Sequence, residues 1–401
     1  MTAILILDQG ALELATKIKD TLPGARIHGL DRRLTGADET FSETAAHLRT
    51  LFQSGEAIVG LCASGILIRA LAPVLIDKKS EPPVLALAAD GSAVVPLLGG
   101  HNGANRLAAE IAKATGGVNA MTTASDIRLG LALDDPPQGW RVANRSAAKD
   151  LSARLLAGQP VRLDVSAGNA EWLTQSGVAF DPHAEGPHIR CTADDVATPG
   201  DNLILHPPVL ALGVGCERDC APEELQSLVA DTLKKSGLSA KSIACVVSLD
   251  LKMDEPAVHA LAKHLNVPAR FFTAAELEAE ASRFAHPSDV VFAEVGCHGV
   301  SEGAALAAAG PDATLRVEKM RSKRATCAIA LNSNGIEAET VGRARGKLNI
   351  VGIGPGSEGW RTPEATALLA EASDVVGYHL YLDLVADVVA GKKRHVSELA
   401  Q

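Results

Sequence analysis

Two short stretches between residues 58 and 126 constrain the fold most strongly, because each predicts an apolar strand, a glycine turn and a helix in that order. The first covers residues 58–69 and turns at the sequence CASG; the second covers residues 94–106 and turns at GGHNG. Parallel sheets bind polar or anionic ligands with this unit, because free N–H groups and the positive helix end meet at the carboxyl edge of the strand. Two such turns in one domain predict a binding site there.

The alternation of predicted strands and helices extends over most of the chain. It runs from residue 3 to residue 121, breaks at the turn-rich residues 134–140, resumes at residue 209 and starts again at residue 347. Alternation at this density predicts mostly parallel sheets with helices on both faces. The 401 residues also exceed what one hydrophobic core normally serves. The fold class we predict is therefore α/β, with several domains and mostly parallel sheets.

The predicted domain boundaries follow the breaks in this pattern. We expect an N-terminal α/β domain at 1–130, a variable middle module at 131–207, a second α/β domain at 208–331, a linker at 332–346, and a further unit at 347–401. The linker is predicted because its residues are polar and include glycines. Short apolar runs predict one strand at 290–292 and another at 347–353.

The composition indicates a globular chain and argues against nucleic acid as a partner. Hydrophobic residues make up 47% and charged residues 21% of the chain, as in packed domains. Aromatic residues make up only 3% and the formal net charge is -10, which disfavours base stacking and phosphate binding. No apolar run is long enough to span a bilayer, and Asp8 interrupts the first apolar run before a signal sequence can develop. We therefore expect a cytoplasmic protein without a membrane partner.

The cysteines predict reduced thiols rather than disulfides or a metal site. There are seven, and none belongs to a CxxC pair. Cys216 and Cys220 have a spacing that could ligate a metal on a helix, but no second pair completes such a site. We expect no bound metal.

Several motifs of the first domain resemble the N-terminal signature of the CbiG family, the cobalt-precorrin-5A hydrolases of cobalamin biosynthesis. These motifs are GLCASGILIR (60–69), DKK (77–79), PPV (82–84), LLGGHNGAN (97–105) and TTASD (122–126). Two positions depart from the pattern, since Gly99 stands where a serine is expected and Asn102 where an apolar residue is usual. Neither change removes a residue to which we assign a polar role.

The second α/β domain resembles the C-terminal domain of the same family, which also occurs alone as the CobE protein. The motifs are GVGC (213–216), DLKMDE (250–255), SEGAAL (301–306) and a basic segment before TCAIA (326–330). Residues 347–401 resemble the start of precorrin-3B C(17)-methyltransferase, a tetrapyrrole methylase with a glycine turn at the same place. In that family S-adenosylmethionine binds between two complete lobes, so the resemblance implies an incomplete methylase lobe here. The turn residues that would line its cofactor cleft are Gly354, Pro355 and Gly356.

The resemblance implies opening of the lactone of cobalt-precorrin-5A and loss of a two-carbon fragment as acetaldehyde. This chemistry needs a base that activates water, donors for the oxyanion, and cations that hold a macrocycle with many carboxylates. His101 is the candidate base, because a histidine titrates near neutral pH, and Asn105 is the candidate second catalytic residue. Both also have structural alternatives, since residues at a helix start commonly cap the helix.

The remaining predicted site residues are those that could bind the substrate. Arg69, Lys78 and Lys252 are candidate clamps for its carboxylates. The polar loop at 250–255 could equally be an ordinary charged loop, and Glu302 is favourable to a helix dipole in any case. The other predicted substrate-binding residues are Ser64, Gly65, Gly100, Asn102, Asp250, Glu302 and Lys319.

The sequence therefore predicts a cobalamin-pathway hydrolase that acts on a cobalt-corrinoid intermediate and needs no cofactor. S-adenosylmethionine is expected only if the methylase domain is completed. Two alternatives stay open: the front part of a bifunctional precorrin-3B methyltransferase fusion, and a non-catalytic carrier that hands corrin intermediates to other enzymes of the pathway.

Overall fold

The computed structural model describes residues 2–31, 33–78, 80–123, 128–390 and 392–397, without the side chains of His101 and Glu358. The chain forms two compact units, one comprising Met1–Met121 with Lys347–Gln401 and the other Thr122–Gly346. The mixture of helices with mostly parallel sheets confirms the α/β class predicted from the sequence.

The first unit contains a seven-stranded sheet in the order β3-β2-β1-β4-β5-β6-β7. Its strands are β1 (Thr2–Ile6), β2 (Ala25–Leu30), β3 (Glu39–Phe41), β4 (Ala57–Leu61), β5 (Val84–Leu87), β6 (Ala93–Leu98) and β7 (Val118–Asn119). Its helices are α1 (Leu12–Thr21), α2 (Thr44–Gln53), α3 (Ser64–Leu71) and α4 (Ala104–Thr115).

Both faces of this sheet are buried by helices. Successive side chains of a strand point to opposite faces, so Ile4 and Ile6 of β1 pack with α1 and α4, whereas Ala3 and Leu5 pack with α2 and α3. This double burial explains why β1 is an uninterrupted apolar run rather than an alternating one.

Strand β6 runs antiparallel to β5, and every other neighbouring pair in this sheet is parallel. Only residues 88–92 connect the two strands. A parallel pair needs a crossover of a dozen or more residues, whereas a short loop joins antiparallel neighbours. The loop is closed by a hydrogen bond of 3.0 Å from the Ala88 N–H to the Ala93 carbonyl.

The second unit begins with a small four-stranded sheet in the order β8-β11-β10-β9. The strands are β8 (Arg141–Val142), β9 (Leu163–Val165), β10 (Ile189–Cys191) and β11 (Leu203–His206), and the helices are α5 (Arg145–Leu156) and α6 (Glu171–Thr174). Trp140 and Trp172 meet edge to face at 5.6 Å between ring centroids beside this sheet's core.

A five-stranded sheet follows in the order β14-β13-β12-β16-β15. Its strands are β12 (Leu210–Cys216), β13 (Ile243–Leu249), β14 (Ala269–Phe272), β15 (Thr314–Arg321) and β16 (Ala325–Leu331), and its helices are α7 (Pro222–Ser236), α8 (Pro256–Leu265), α9 (Ala274–Glu278), α10 (Asp289–Val295) and α11 (Val300–Ala309). The strands β12, β13 and β14 are parallel, and β16 is antiparallel to both β12 and β15.

The strand predicted at residues 290–292 is wrong, because these residues lie in α10. The Ser288 hydroxyl accepts a hydrogen bond from the Val291 N–H at the start of the helix, and Gly296 ends it with φ 79°. Such a cap and a left-handed glycine are ordinary helix boundaries. A run of three apolar residues does not distinguish a strand from one turn of helix.

Part of the segment predicted as a linker, 332–346, is bound to the edge strand β14. Phe271 and Arg343 exchange two backbone hydrogen bonds of 2.8 Å. The buried Arg270 guanidinium donates to the carbonyl oxygens of Val341 at 2.7 Å, Glu339 at 2.9 Å and Gly342 at 3.2 Å. The segment is therefore held by its main-chain carbonyl groups. Its polar side chains gave no indication of this contact.

The last residues form α12 (Pro363–Glu371), β17 (Asp374–Tyr378), α13 (His379–Leu384) and β18 (Lys393–Ser397). The strand predicted at 347–353 is wrong: these residues pair with no strand in the described part of the chain, and Leu348 and Ile350 are 86% and 95% exposed. A parallel strand is buried only when neighbours and covering helices are present, and the sheet here consists of β17 and β18 alone. The turn at Gly354-Pro355-Gly356 is formed, with φ 65° and 107° at its two glycines.

Candidate functional site

The turn that contains His101 is held by its backbone in a conformation that requires glycine. Gly99 has φ 68°, and a Cβ atom there would lie 2.5 Å from the Pro82 carbonyl oxygen. The serine expected at this position would therefore be strained. The Asn102 side-chain amide donates to the Glu81 carbonyl at 2.8 Å, which fixes the turn against the segment that leads into β5.

Helix α4 begins directly after this turn. Its N-cap is Gly103, with φ 101°, which offers no side chain to cap the helix. Asn105 is 8% exposed and lies against Gly100, where an added Cβ would meet its amide nitrogen at 3.6 Å. Asn105 thus packs against the backbone of the turn. The His101 side chain lies outside the described part of the structure.

The two glycine turns that we expected in one site lie at opposite edges of the sheet. Val84 in β5 pairs both with Ile58, near the start of β4, and with Leu98, at the end of β6. The turn after β6 therefore lies beside the beginning of β4, whereas the CASG turn follows the end of β4. The expectation of one shared site is wrong because β6 is antiparallel.

The CASG turn lies at the carboxyl edge, next to the end of β1. The chain passes from β1 to β2 on one side and from β4 to β5 on the other, so this crevice is the topological switch point at which such sheets bind ligands. Ser64 and Gly65 begin α3 here, and the Arg69 guanidinium folds back to donate to the Gly65 carbonyl at 3.1 Å. These three predicted residues are brought together.

The same crevice includes a loop that the sequence motifs did not point to. The Asp8 carboxylate accepts from the Gly10 N–H at 3.0 Å, and the Gln9 side chain makes two hydrogen bonds with the Thr35 backbone, at 3.0 and 3.3 Å. This loop follows β1, the strand beside which the crevice forms. Lys78 is exposed in the loop before Glu81 and belongs instead to the edge that carries His101, and Lys79 lies outside the described residues.

The second α/β domain presents a charged cluster at the carboxyl edge of β12 and β13. Lys252 Nζ lies 3.6 Å from Glu255 Oε2. Asp250 is the first residue of the same loop, which begins with a short 3-10 helix at Asp250–Lys252. Arg218, from the loop after β12, donates to the Leu251 carbonyl at 2.8 Å and pairs with Asp254. Two of the predicted substrate-binding residues, Asp250 and Lys252, therefore lie together here.

Cys216, at the end of β12, lies beside this cluster but is not activated by it. Burial raises the pKa of its thiol to about 11, although the neighbouring Lys252 acts in the opposite direction. A thiol with this pKa is neutral at pH 7 and is a poor nucleophile. The cluster can therefore use only its carboxylates and cations in acid–base or binding chemistry.

Glu302 does not fit the substrate-binding role predicted for it. Its side chain is 1% exposed and accepts backbone hydrogen bonds from Ala285 at 3.0 Å, His286 at 3.0 Å and Lys319 at 2.9 Å. A carboxylate surrounded by main-chain donors fixes loops rather than ligands. Lys319 also turns inward, since its Nζ donates to the His286 carbonyl at 2.9 Å.

These features define a chain with two α/β domains whose polar residues collect in loops at the edges of the sheets. The family model described as Cobalamin synthesis G N-terminal matches residues 46–126, and that described as Cobalamin synthesis G C-terminus matches residues 210–330. Cobalt-precorrin-5A hydrolase of Salmonella typhimurium is 31% identical over 292 residues, which cover 69% of this chain and 82% of that protein. The chain belongs to the CbiG family of cobalamin biosynthesis.

Two further relatives match shorter parts of the chain. Protein CobE of Sinorhizobium sp is 51% identical over 121 residues, 30% of this chain and 79% of that protein. Cobalamin biosynthesis protein CobIJ of Mycobacterium bovis is 45% identical over 53 residues, 13% of this chain and 10% of that protein. The predicted family, its hydrolase class and its place in cobalamin biosynthesis are confirmed by these matches, whereas the short CobIJ match assigns no methyltransferase activity.

Proposed function

We propose that this chain opens the lactone of cobalt-precorrin-5A and releases a two-carbon fragment as acetaldehyde. The observation that carries this proposal is the match to the Salmonella typhimurium hydrolase over 82% of that protein, together with the two family models in their order along the chain. The chemistry requires activated water, oxyanion stabilisation and cationic binding groups. The described loops supply groups of the last two kinds.

In this proposal His101 is the base that activates water. Its turn is fixed between two left-handed glycines and precedes α4, a helix of 12 residues. The first N–H groups of a helix have no partner within the helix, and its positive end stabilises developing negative charge. These features support the turn as the place where the lactone carbonyl becomes an oxyanion.

The experiment that tests the function is a single turnover with excess protein over cobalt-precorrin-5A. One equivalent of acetaldehyde and a product lacking the two-carbon fragment are expected. A protein that binds the intermediate and releases it unchanged would instead be a carrier, and this result would end the hydrolase proposal.

Binding of the substrate is expected to depend on charge. Arg69 and Lys252 are alternative proposed clamps for carboxylates of the macrocycle, since they lie in different units and Arg69 lies at the opposite sheet edge from the His101 turn. The substitution that removes a clamp, Arg69→Ala or Lys252→Ala, should raise the Kd about 10-fold, as for loss of one charge-assisted hydrogen bond. Added salt should weaken binding by screening. Lys263→Ala, an exposed lysine near the other end of α8, is the matched control. A Kd that responds to neither substitution nor to salt contradicts these assignments.

The tail is expected not to bind S-adenosylmethionine, so the hydrolase is proposed to work without a cofactor. The glycine turn at 354–356 is formed, but the strand that should lead into it is absent in residues 347–353, and the adjoining sheet comprises only β17 and β18 among the described residues. Such a surface offers no cleft that would enclose the cofactor. Calorimetric titration with S-adenosylmethionine should show no stoichiometric binding, and a stoichiometric heat would favour the methyltransferase alternative.

Two wider expectations concern surroundings and partners. No helix in the described ranges has both the length and the apolar character to cross a bilayer, and the cytoplasmic location stays a prediction of the sequence. We propose that the protein's partners are the cobalt-corrinoid intermediate and other enzymes of the corrin pathway.

A further inference from the structure

Glu255 is buried, and one oxygen of its carboxylate has no hydrogen-bond partner among the described residues. Its side chain is 1% exposed, and the oxygen without a partner is Oε1. Oε2 lies 3.6 Å from Lys252 Nζ and 4.0 Å from Arg218 Nη1. Both distances exceed the roughly 2.7–2.9 Å of a charge-assisted hydrogen bond. A buried charged group in this state is costly, so its presence needs an explanation.

The chain satisfies comparable groups elsewhere, which makes Glu255 an exception. Glu302 is equally buried and accepts three backbone hydrogen bonds. Glu43, which precedes α2, accepts hydrogen bonds from two N–H groups at the start of that helix. Glu255 is the N-cap of α8 and could do the same, yet its side chain caps nothing. This carboxylate therefore neither caps a helix nor holds two loops together by hydrogen bonds.

The location of Glu255 favours contact with a ligand. It ends the loop after β13, at the carboxyl edge shared with β12, where α7 and α8 also begin. In open parallel sheets this edge is where ligands bind. A charge of opposite sign, Lys252, lies beside the carboxylate, and the neighbouring Cys216 thiol is neutral. What Oε1 lacks is a hydrogen-bond donor, which an arriving hydroxyl group would supply.

We infer that Glu255 is the base for the second step of the reaction, an inference that rests on the proposed function. Lactone opening adds water across the acyl carbon–oxygen bond and yields a carboxylate and a secondary alcohol. Release of acetaldehyde then requires that Glu255 Oε1 accept the proton of this alcohol. The oxygen lone pair forms the aldehyde carbonyl, the carbon–carbon bond to the macrocycle breaks, and the conjugated macrocycle takes up the electron pair. No oxidant or reductant is needed.

The two steps can be separated with Glu255→Gln, which preserves the shape of the side chain. The ring-opened alcohol, heavier than the substrate by one water, should accumulate, while acetaldehyde release falls about 100-fold or more, as for loss of a general base. The variant should remain folded, because glutamine keeps the size and shape of the side chain, and its melting temperature checks this. Asp231→Asn, at an exposed residue of α7 outside this cluster, is the matched control and should change neither step.

Three results would overturn the assignment: release of acetaldehyde at the wild-type rate by Glu255→Gln, loss of lactone opening as well in a folded variant, or unfolding of the variant, which would show a structural role. Failure of the proposed function itself is distinct, because the wild-type protein would then neither open the lactone nor release acetaldehyde.

Discussion

Replacement of His101 by alanine is expected to lower the turnover of cobalt-precorrin-5A roughly 100-fold or more, with little change in its binding. A general base acts in the transition state, so its removal lowers kcat and leaves ground-state contacts in place. The backbone of the turn should survive, because Gly99 and Gly103 set its shape and Asn102 fastens it to Glu81. Quenched time courses of acetaldehyde release give the turnover rate, and a separate binding titration gives the Kd.

The matched control for this prediction is His183→Ala, at an exposed histidine of the middle module. Its turnover should equal that of the wild type. The wild-type pH–rate profile should also show a limb from ionisation of the base, which His101→Ala should lose. Wild-type turnover in His101→Ala would exclude the histidine as the base. Loss of the folded state would support the capping role that the sequence left open.

The strands of both α/β domains could be predicted because buried strands are short apolar runs in the sequence. Residues 3–6 of β1 are all apolar since both faces of the strand are covered, and β12 and β13 are nearly all apolar for the same reason. The glycine turns after β4 and β12 likewise lie where the sequence placed them. Local patterns were sufficient wherever one strand, one turn and one helix decide the structure.

The direction of β6 was the error with the largest consequence for the site. Because β6 is antiparallel, the His101 turn lies at the opposite sheet edge from Ser64, Gly65 and Arg69. All four residues belong to the motifs of the N-terminal domain. The five residues at 88–92 between β5 and β6 are too few for a parallel crossover. This error was avoidable, because loop length alone excludes the parallel arrangement.

Other parts of the site depend on contacts that no local pattern encodes. Arg270 docks residues 339–342 from about 70 positions away in the chain, and the missing hydrogen bond of Glu255 is visible only once its surroundings are folded. Glu302 is a similar case: an acidic residue in the first turn of a helix suggests a dipole effect or a ligand, but its partners come from two distant segments.

Replacement of Glu302 by glutamine is expected to lower the free energy of unfolding by about 2–4 kcal/mol at pH 7, because it turns a buried charged acceptor into a group with its own N–H donors. Those donors would face the N–H groups of Ala285, His286 and Lys319, which lie 2.9–3.0 Å from the present carboxylate. Urea unfolding measures the difference. Glu318→Gln, on the neighbouring strand and 65% exposed, is the matched control and should cost little.

The same replacement should remove a pH dependence of stability. Burial raises the pKa of Glu302, but hydrogen bonds from the His286 and Lys319 backbones and from the His286 ring outweigh it, so that the pKa is lowered overall. A lowered pKa in the folded state means that the carboxylate stabilises the fold above its unfolded pKa of about 4.3 and loses this contribution as pH falls through the folded value. The stability difference between wild type and Glu302→Gln should therefore be largest at neutral pH and shrink below about pH 4. A difference that is independent of pH would contradict an ionised Glu302 as the group that holds the loop at residues 285–286 against β15.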